Sequence, residues 1–199
     1  QGNDNTYSLD QAVSKNTYYR FLDEYSYNWR KFLLLLAAKI TSAFDSLTRP
    51  ERIKTLILDD SVITRNRSKK VELLARVYDH VNHKFQKGFT LLTLGWSDGY
   101  SFIPVGFNML SSANKSNRYQ EVSDKIDRRT NGYKARKESM MKKTDAAVLL
   151  VERALDAGIQ ADYVLMDTWF TTEPMIQSLL AIGMDVIGMV KQLKQKYIY

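Results

Sequence analysis

The sequence contains no cysteine and only two histidines. The first absence excludes a disulfide framework and a thiolate metal site, and two imidazoles alone do not close a tetrahedral zinc site. Long apolar runs are missing too. The longest, Phe32 to Ala38, is far short of the roughly 20 residues that a membrane span needs, and no basic n-region with a following apolar h-region opens the chain. Internal repeats and low-complexity tracts are absent. The expectation is a globular protein of the cytoplasm with no membrane partner. Because the chain starts at Gln1 without methionine and stops at Tyr199 amid strand-like residues, it is expected to be a piece of something longer.

What is present suffices for a core. With 199 residues, of which 44% are hydrophobic, the chain can form one large domain, or a core domain with a smaller attachment. The net charge of +7 is unevenly placed. Between Lys115 and Lys143, ten Lys and Arg face four Asp and Glu; the remainder holds nineteen against eighteen. A basic segment of this kind is either a phosphate-binding footprint for nucleic acid or a solvated loop with surplus lysines.

Residues 1–50 read as a helical region. Trp29, Phe32, Leu33, Leu36, Ala37 and Ile40 fall at helical spacing, and Pro50 marks an end. Upstream, Ser8 to Tyr25 reads as two short helices with a turn near Ser14, either a helix-turn-helix remnant for DNA or a plain helical subdomain. From Ile53 the pattern changes to strands. Thr55 to Leu58 has the composition of a strand covered on both faces. Ser68 to Phe85 reads as a helix with Val71, Leu74, Val77, Tyr78 and Val81 on one face. Gly88 to Leu110 reads as a hairpin turning at Ser97-Asp98-Gly99. Thr144 to Ala157 is a helix closed by Gly158, followed by a strand ending at Asp167, a helix from about Glu173 to Ala181, and a last strand from Asp185. The expected class is therefore α/β: three antiparallel strands, then helix-strand-helix-strand, in a mixed five-stranded sheet over residues 51–199.

Two of these strands end alike. "LILDD" delivers Asp59 and Asp60 after an apolar run, and "YVLMD" delivers Asp167, 107 positions beyond Asp60. If the first and fourth strands are neighbours, Asp60 and Asp167 meet at one edge of the core. Like charges so placed repel unless a cation lies between them, and Mg²⁺ accepts one or two protein carboxylates while keeping waters and phosphate oxygens. Taken singly, an Asp after a strand is as readily a turn or helix cap. On the metal reading, Asn at either position is expected to leave folding intact or to raise metal-free stability.

"LILDDSVI" and "VLMDTWF", with "GWSDGYSFIPVGF" between them, resemble the catalytic core of DDE transposases of bacterial insertion sequences, particularly family four, whose core is ribonuclease-H-like. The resemblance covers about Thr55 to Lys191. It implies catalytic, metal-holding roles for Asp60, with Asp59 as the alternative, and for Asp167. It also implies two Mg²⁺ or Mn²⁺ ions per site, DNA as substrate and target, strand cleavage and strand transfer, and a homodimer on paired transposon ends. The third member, a glutamate in a Tyr-x-x-Arg-x-x-x-Glu-x-x-x-x-x-x-Lys signature, has no counterpart: Tyr133 and Arg136 begin such a pattern, but Met140 and Ala147 stand where the glutamate and lysine belong. The glutamate is expected beyond Tyr199, and the fragment alone is expected to be inactive. A ribonuclease H or resolvase type of nuclease, acting by hydrolysis only, and a non-catalytic DNA-binding module derived from a transposase are the alternatives.

Other residues divide between two roles. Arg65, Arg67, Lys69 and Lys70 grip DNA near the site or form a solvated turn. Arg128, Arg129, Lys134, Arg136 and Lys137 carry the basic segment's DNA contacts. Asp79, His80 and His83 form a cluster more suited to structure or phosphate contact than to a metal that prefers oxygen ligands. Trp169 and Phe170 pack below the site or stack on an unpaired base, and Glu173 starts a helix where its charge suits the dipole.

Overall fold

A computed structural model describes residues 14–49 and 51–190. Two helices, α1 (Lys15–Asp23) and α2 (Trp29–Leu47), precede strands β1 (Thr55–Thr64), β2 (Ala75–Asp79), β3 (Lys84–Ser97) and β4 (Phe102–Leu110). After a long loop with one 3₁₀ turn come α3 (Asn131–Glu138), α4 (Lys143–Asp156), β5 (Tyr163–Met166), α5 (Glu173–Ala181) and β6 (Asp185–Gly188). The upstream half of the expected helix-turn-helix outline lies outside the described residues.

The sheet runs β2-β3-β1-β5-β6, with β4 also on β3. With β2 set aside, the order β4-β3-β1-β5-β6 is the expected ribonuclease-H-like one: an antiparallel β1-β3-β4 meander, then parallel β5 beside β1 and parallel β6 beside β5. The β3-β4 hairpin turns where Asp98-Gly99 predicts. Gly99 has φ 86°, and the buried Asp98 carboxylate accepts from the Tyr100 and Ser101 amides and from Arg52. One β4 residue is extra, since Leu94 pairs with Gly106 but Gly95 with Pro104. The bulge turns Val105 into the core.

The core lies on one face of the sheet. Leu56 and Leu58 of β1, Leu92, Leu94 and Trp96 of β3, and Val164 and Met166 of β5 meet Ala147, Leu150, Val151 and Ala154 of α4, Met175 and Leu179 of α5, and Ala37 of α2. The Phe44 ring of α2 stacks parallel to Trp96 at 6.3 Å, and the Trp96 indole donates to the Gln160 carbonyl. The other face is more open, with Leu165 37% and Ile187 46% exposed. The expectation of a first strand covered on both faces and ending at its acids is therefore corrected: Thr55 and Ile57 are only half-buried, and the strand runs on past Asp59 and Asp60 to Thr64. In α2 the buried stripe runs through Ala37 and Thr41, leaving Phe32 and Leu36 of the expected face exposed.

A larger correction concerns residues 68–85, expected as a helix. The chain there alternates turns with strand, and Ala75–Asp79 forms a sixth strand whose burial alternates strictly. It pairs with the start of β3, from Ala75 opposite Gly88 to Asp79 opposite Lys84. Two residues in the left-handed region, Leu73 (φ 57°) and His83 (φ 51°), break any helix. Leu73 and Leu74 instead pack on Phe89 in a small separate cluster. The Asp79 carboxylate, held down to about 2 chiefly by the Asn82 side-chain and backbone donors, ties the turn into β3.

Between the helical start and the sheet, Glu138 bridges two guanidinium groups, Arg30 and Arg153, each at 2.8 Å. Burial opposes its charge, but the hydrogen bonds from Arg153 and Arg30 outweigh that and hold its carboxyl below the usual range. Glu138→Gln strands two partly buried cations, so chemical denaturation at neutral pH should show a loss of about 2 kcal/mol. A depressed folded pKa stabilises fully above the unfolded value, near about 4.3, and that contribution disappears as pH falls through the folded one. Stability curves of the two proteins should therefore converge below about pH 4.

Candidate active site

Period-two geometry decides where the acids of β1 point. Leu56 and Leu58 face the core, Asp60 continues that side beneath the first turn of α4, and Asp59 is exposed on the other. The Asp60 side chain is only 10% exposed, and its Oδ1 accepts a 3.0 Å hydrogen bond from Lys143 Nζ. Asp59 turns back on its own backbone, its Oδ1 accepting from the Asp60 amide at 2.8 Å.

Asp167 follows directly on β5. The parallel register ends with Leu58 opposite Met166; one step further along both chains are Asp59 and Asp167. The chain then leaves the sheet in a tight turn that Asp167 organises. Its Oδ1 accepts from the Trp169 amide at 2.9 Å and the Phe170 amide at 3.3 Å, while its carbonyl accepts from the Thr171 hydroxyl. The turn buries Phe170, and the Lys143 ammonium lies 4.8 Å from that ring. One lysine thus touches both places: Asp60 through charge, and the Asp167 turn through the ring Asp167 positions.

Lys143 was not among the residues expected from sequence. The available signal was the Lys142-Lys143 pair opening α4, where the helix dipole disfavours cations and a Ser, Thr, Asp or Asn cap is the rule. Trp169 meets the β2-β3 turn instead of the core, its ring centroid 3.9 Å from that of His80. Of the residues expected as a helical Asp-His-x-x-His cluster, His80 therefore borders the Asp167 turn, through aromatic contact. Glu173 starts α5 on the surface, as its structural reading has it.

The expected DNA contacts separate into two groups. Arg65, Arg67, Lys69 and Lys70 are exposed in the connection from β1 to β2, and Arg128, Lys134 and Lys137 are exposed in the basic segment. Arg129 is 91% exposed and pairs with Asp127 two residues away. Arg136 differs: its guanidinium binds Glu72 and the Gly132 carbonyl, fastening α3 to the loop before β2.

Among the described residues no three His, Asp or Glu side chains come together as a metal-holding group, and no helix is long and apolar enough to cross a membrane. The available donors are the carboxylates of Asp60, within β1, and of Asp167, just past the end of the adjacent β5. That set suits a hard cation which takes one or two protein carboxylates and completes its shell with water and phosphate oxygen. A family model described as DDE superfamily endonuclease matches residues 6–198. The chain belongs to that family. Its type of activity is thus that of a nuclease or transposase, with DNA as substrate and divalent metal as the general cofactor of the family. A search of curated proteins returns no match.

The ion pair alters the stability expected of Asn variants. Asp60→Asn leaves the Lys143 ammonium without its partner, so the metal-free protein should lose about 1 kcal/mol in denaturant titration, not gain stability. Asn at 167 keeps the oxygen that accepts from the Trp169 and Phe170 amides, so Asp167→Asn should stay within about 0.5 kcal/mol of the parent, whereas Asp167→Ala should lose about 1 kcal/mol.

Proposed function

We propose that this chain is the catalytic core of a DDE transposase like those of insertion-sequence family four, preceded by a helical region within residues 1–50 and cutting and rejoining DNA strands at transposon ends. The observation that carries the reading is the parallel pairing of β1 with β5, which lays the segment that carries Asp60 beside the one that leads into Asp167, in a chain of DDE endonuclease descent.

In this reading Asp60 and Asp167 hold the divalent ions, two per site, with Asp59, which follows the register opposite Asp167, as the alternative ligand. Bound there, the ions supply the Lewis acid that activates the attacking hydroxyl and stabilises the departing oxygen. The chain's own contribution is positional. The β1-β5 register sets the spacing of the carboxylates, the Asp167 turn orients its side chain, and the basic segment with Arg65, Arg67, Lys69 and Lys70 draws the DNA backbone towards them. A third carboxylate completes the set, and a homodimer acts on paired ends. Since no third acid joins Asp60 and Asp167 among the described residues, the reading as a non-catalytic DNA-binding module remains the alternative.

Two assays test this. Supercoiled plasmid and a duplex with a free 3′-hydroxyl, incubated with the protein and Mg²⁺, should give nicked plasmid and joined product. Asp60→Asn or Asp167→Asn should lower both by more than about a hundredfold, beyond the usual effect of outer-shell changes. Nicking without joining would favour a hydrolytic nuclease, and DNA binding with neither activity would favour the binding module. Separately, neutralising Arg128, Lys134 and Lys137 should reduce the slope of log affinity against log salt by about 2 to 3. Arg136→Ala should lower the melting temperature through loss of the Glu72 pair and leave that slope nearly unchanged.

A further inference from the structure

We propose that Lys143 is a positioning residue that occupies the cation place of the site: its ammonium neutralises Asp60 while no metal is bound, yields to a divalent ion, and then turns to a phosphate oxygen of the DNA strand. The inference rests on the reading of Asp60 as a metal ligand.

Three observations converge on it. The Asp60 side chain is only 10% exposed, and an enclosed carboxylate favours a positive neighbour. Lys143 Nζ stands 3.0 Å from Oδ1, so an ion entering to bind that oxygen meets the ammonium first. The second observation is the poor local fit of the residue. It opens α4 at the positive end of the helix dipole, behind an N-cap, Lys142, whose side chain makes no capping hydrogen bond. Asp145 in the first turn suits the dipole, but the two lysines beside an uncapped start do not, and Asp60 offsets the charge of Lys143 from another element. Third, the ammonium already has a second attraction. The Phe170 ring lies 4.8 Å from it alongside Asp60, and its face goes on attracting the cation when Asp60 is given up. A flexible four-carbon stem, with the side chain 29% exposed, allows that swing without moving the helix.

A lysine serving only as a structural tether would make metal binding worse when removed. A competing cation predicts the opposite sign. Mn²⁺ would be titrated calorimetrically into the parent, Lys143→Met, Lys143→Arg, Asp60→Asn and the double variant Asp60→Asn with Lys143→Met. Methionine keeps the stem against Phe170 and removes the charge, and Lys143→Gln serves if the methionine variant does not fold by circular dichroism. Lys143→Met should bind Mn²⁺ about tenfold more tightly than the parent, Lys143→Arg about as weakly as the parent, and the double variant should lose the gain. With Mn²⁺ present, Lys143→Met should also reduce the salt slope of duplex DNA binding by about 1.

Unchanged or weaker Mn²⁺ binding by Lys143→Met, including no binding by any variant, overturns the inference. If Lys143→Met binds more tightly but the double variant does so equally, the metal does not use Asp60, and it is the underlying assignment of Asp60 that fails. Loss of plasmid nicking in Asp60→Asn, alongside unchanged Mn²⁺ affinity in Lys143→Met, would leave the assignment standing and remove only the role of Lys143.

Discussion

A carboxylate enclosed where the apolar run of a strand gives out favours a positive neighbour, and the arrangement of this part of the molecule follows from how Asp60 meets that requirement. Placed beneath the first turn of α4 by the alternation of Leu56, Leu58 and Asp60, it is too enclosed for water to solvate it fully. Lys143 supplies the charge, and in doing so fixes where α4 begins relative to β1. Phe170, packed under the same ammonium, fixes the turn that Asp167 shapes. The two catalytic candidates are thus coupled through a lysine and a ring, with the parallel β1-β5 register setting their distance along the sheet.

The parts of the fold legible in sequence are those whose signals are local. Asp98-Gly99 is a turn because a positive φ is needed there and the Asp carboxylate can hold the next amides. The α4 and α5 helices carry unbroken apolar stripes and end before Gly158 and Gly183, both with positive φ. From these elements the three-strand meander followed by two helix-strand units could be laid out in order, and with it the adjacency of the strands that carry Asp60 and Asp167.

Residues 68–85 were misread because two periodicities overlap there. Val71, Leu74, Val77, Tyr78 and Val81 satisfy a helical repeat, yet Ala75, Val77 and Asp79 also satisfy a repeat of two, and only the second is realised. What decides is tertiary. The long strand β3 has an edge free at Lys84–Gly88 that Ala75–Asp79 can pair with, and Asp79 with Asn82 makes a turn of the kind that ends strands. The same limit applies to α2, where a run of four leucines leaves the buried face undetermined until Phe44 stacks on Trp96 and draws Ala37 and Thr41 inward.

Half of the candidate site was visible on the same grounds. An apolar run that ends in Asp can be seen twice in the text, but the partner of Asp60 lies 83 positions away, and no period or composition links them. Its trace is negative: a helix that opens with Lys142 and Lys143 where its dipole and its unpaired amides ask for the opposite. Natural sequences break local rules where another element compensates, so an ill-suited residue at a helix start is itself evidence of a distant partner. Two carboxylates that close apolar runs ask for a cation, and a helix start with two cations asks for a carboxylate. Taken together, these opposite misfits identify the pair that neither stretch identifies alone.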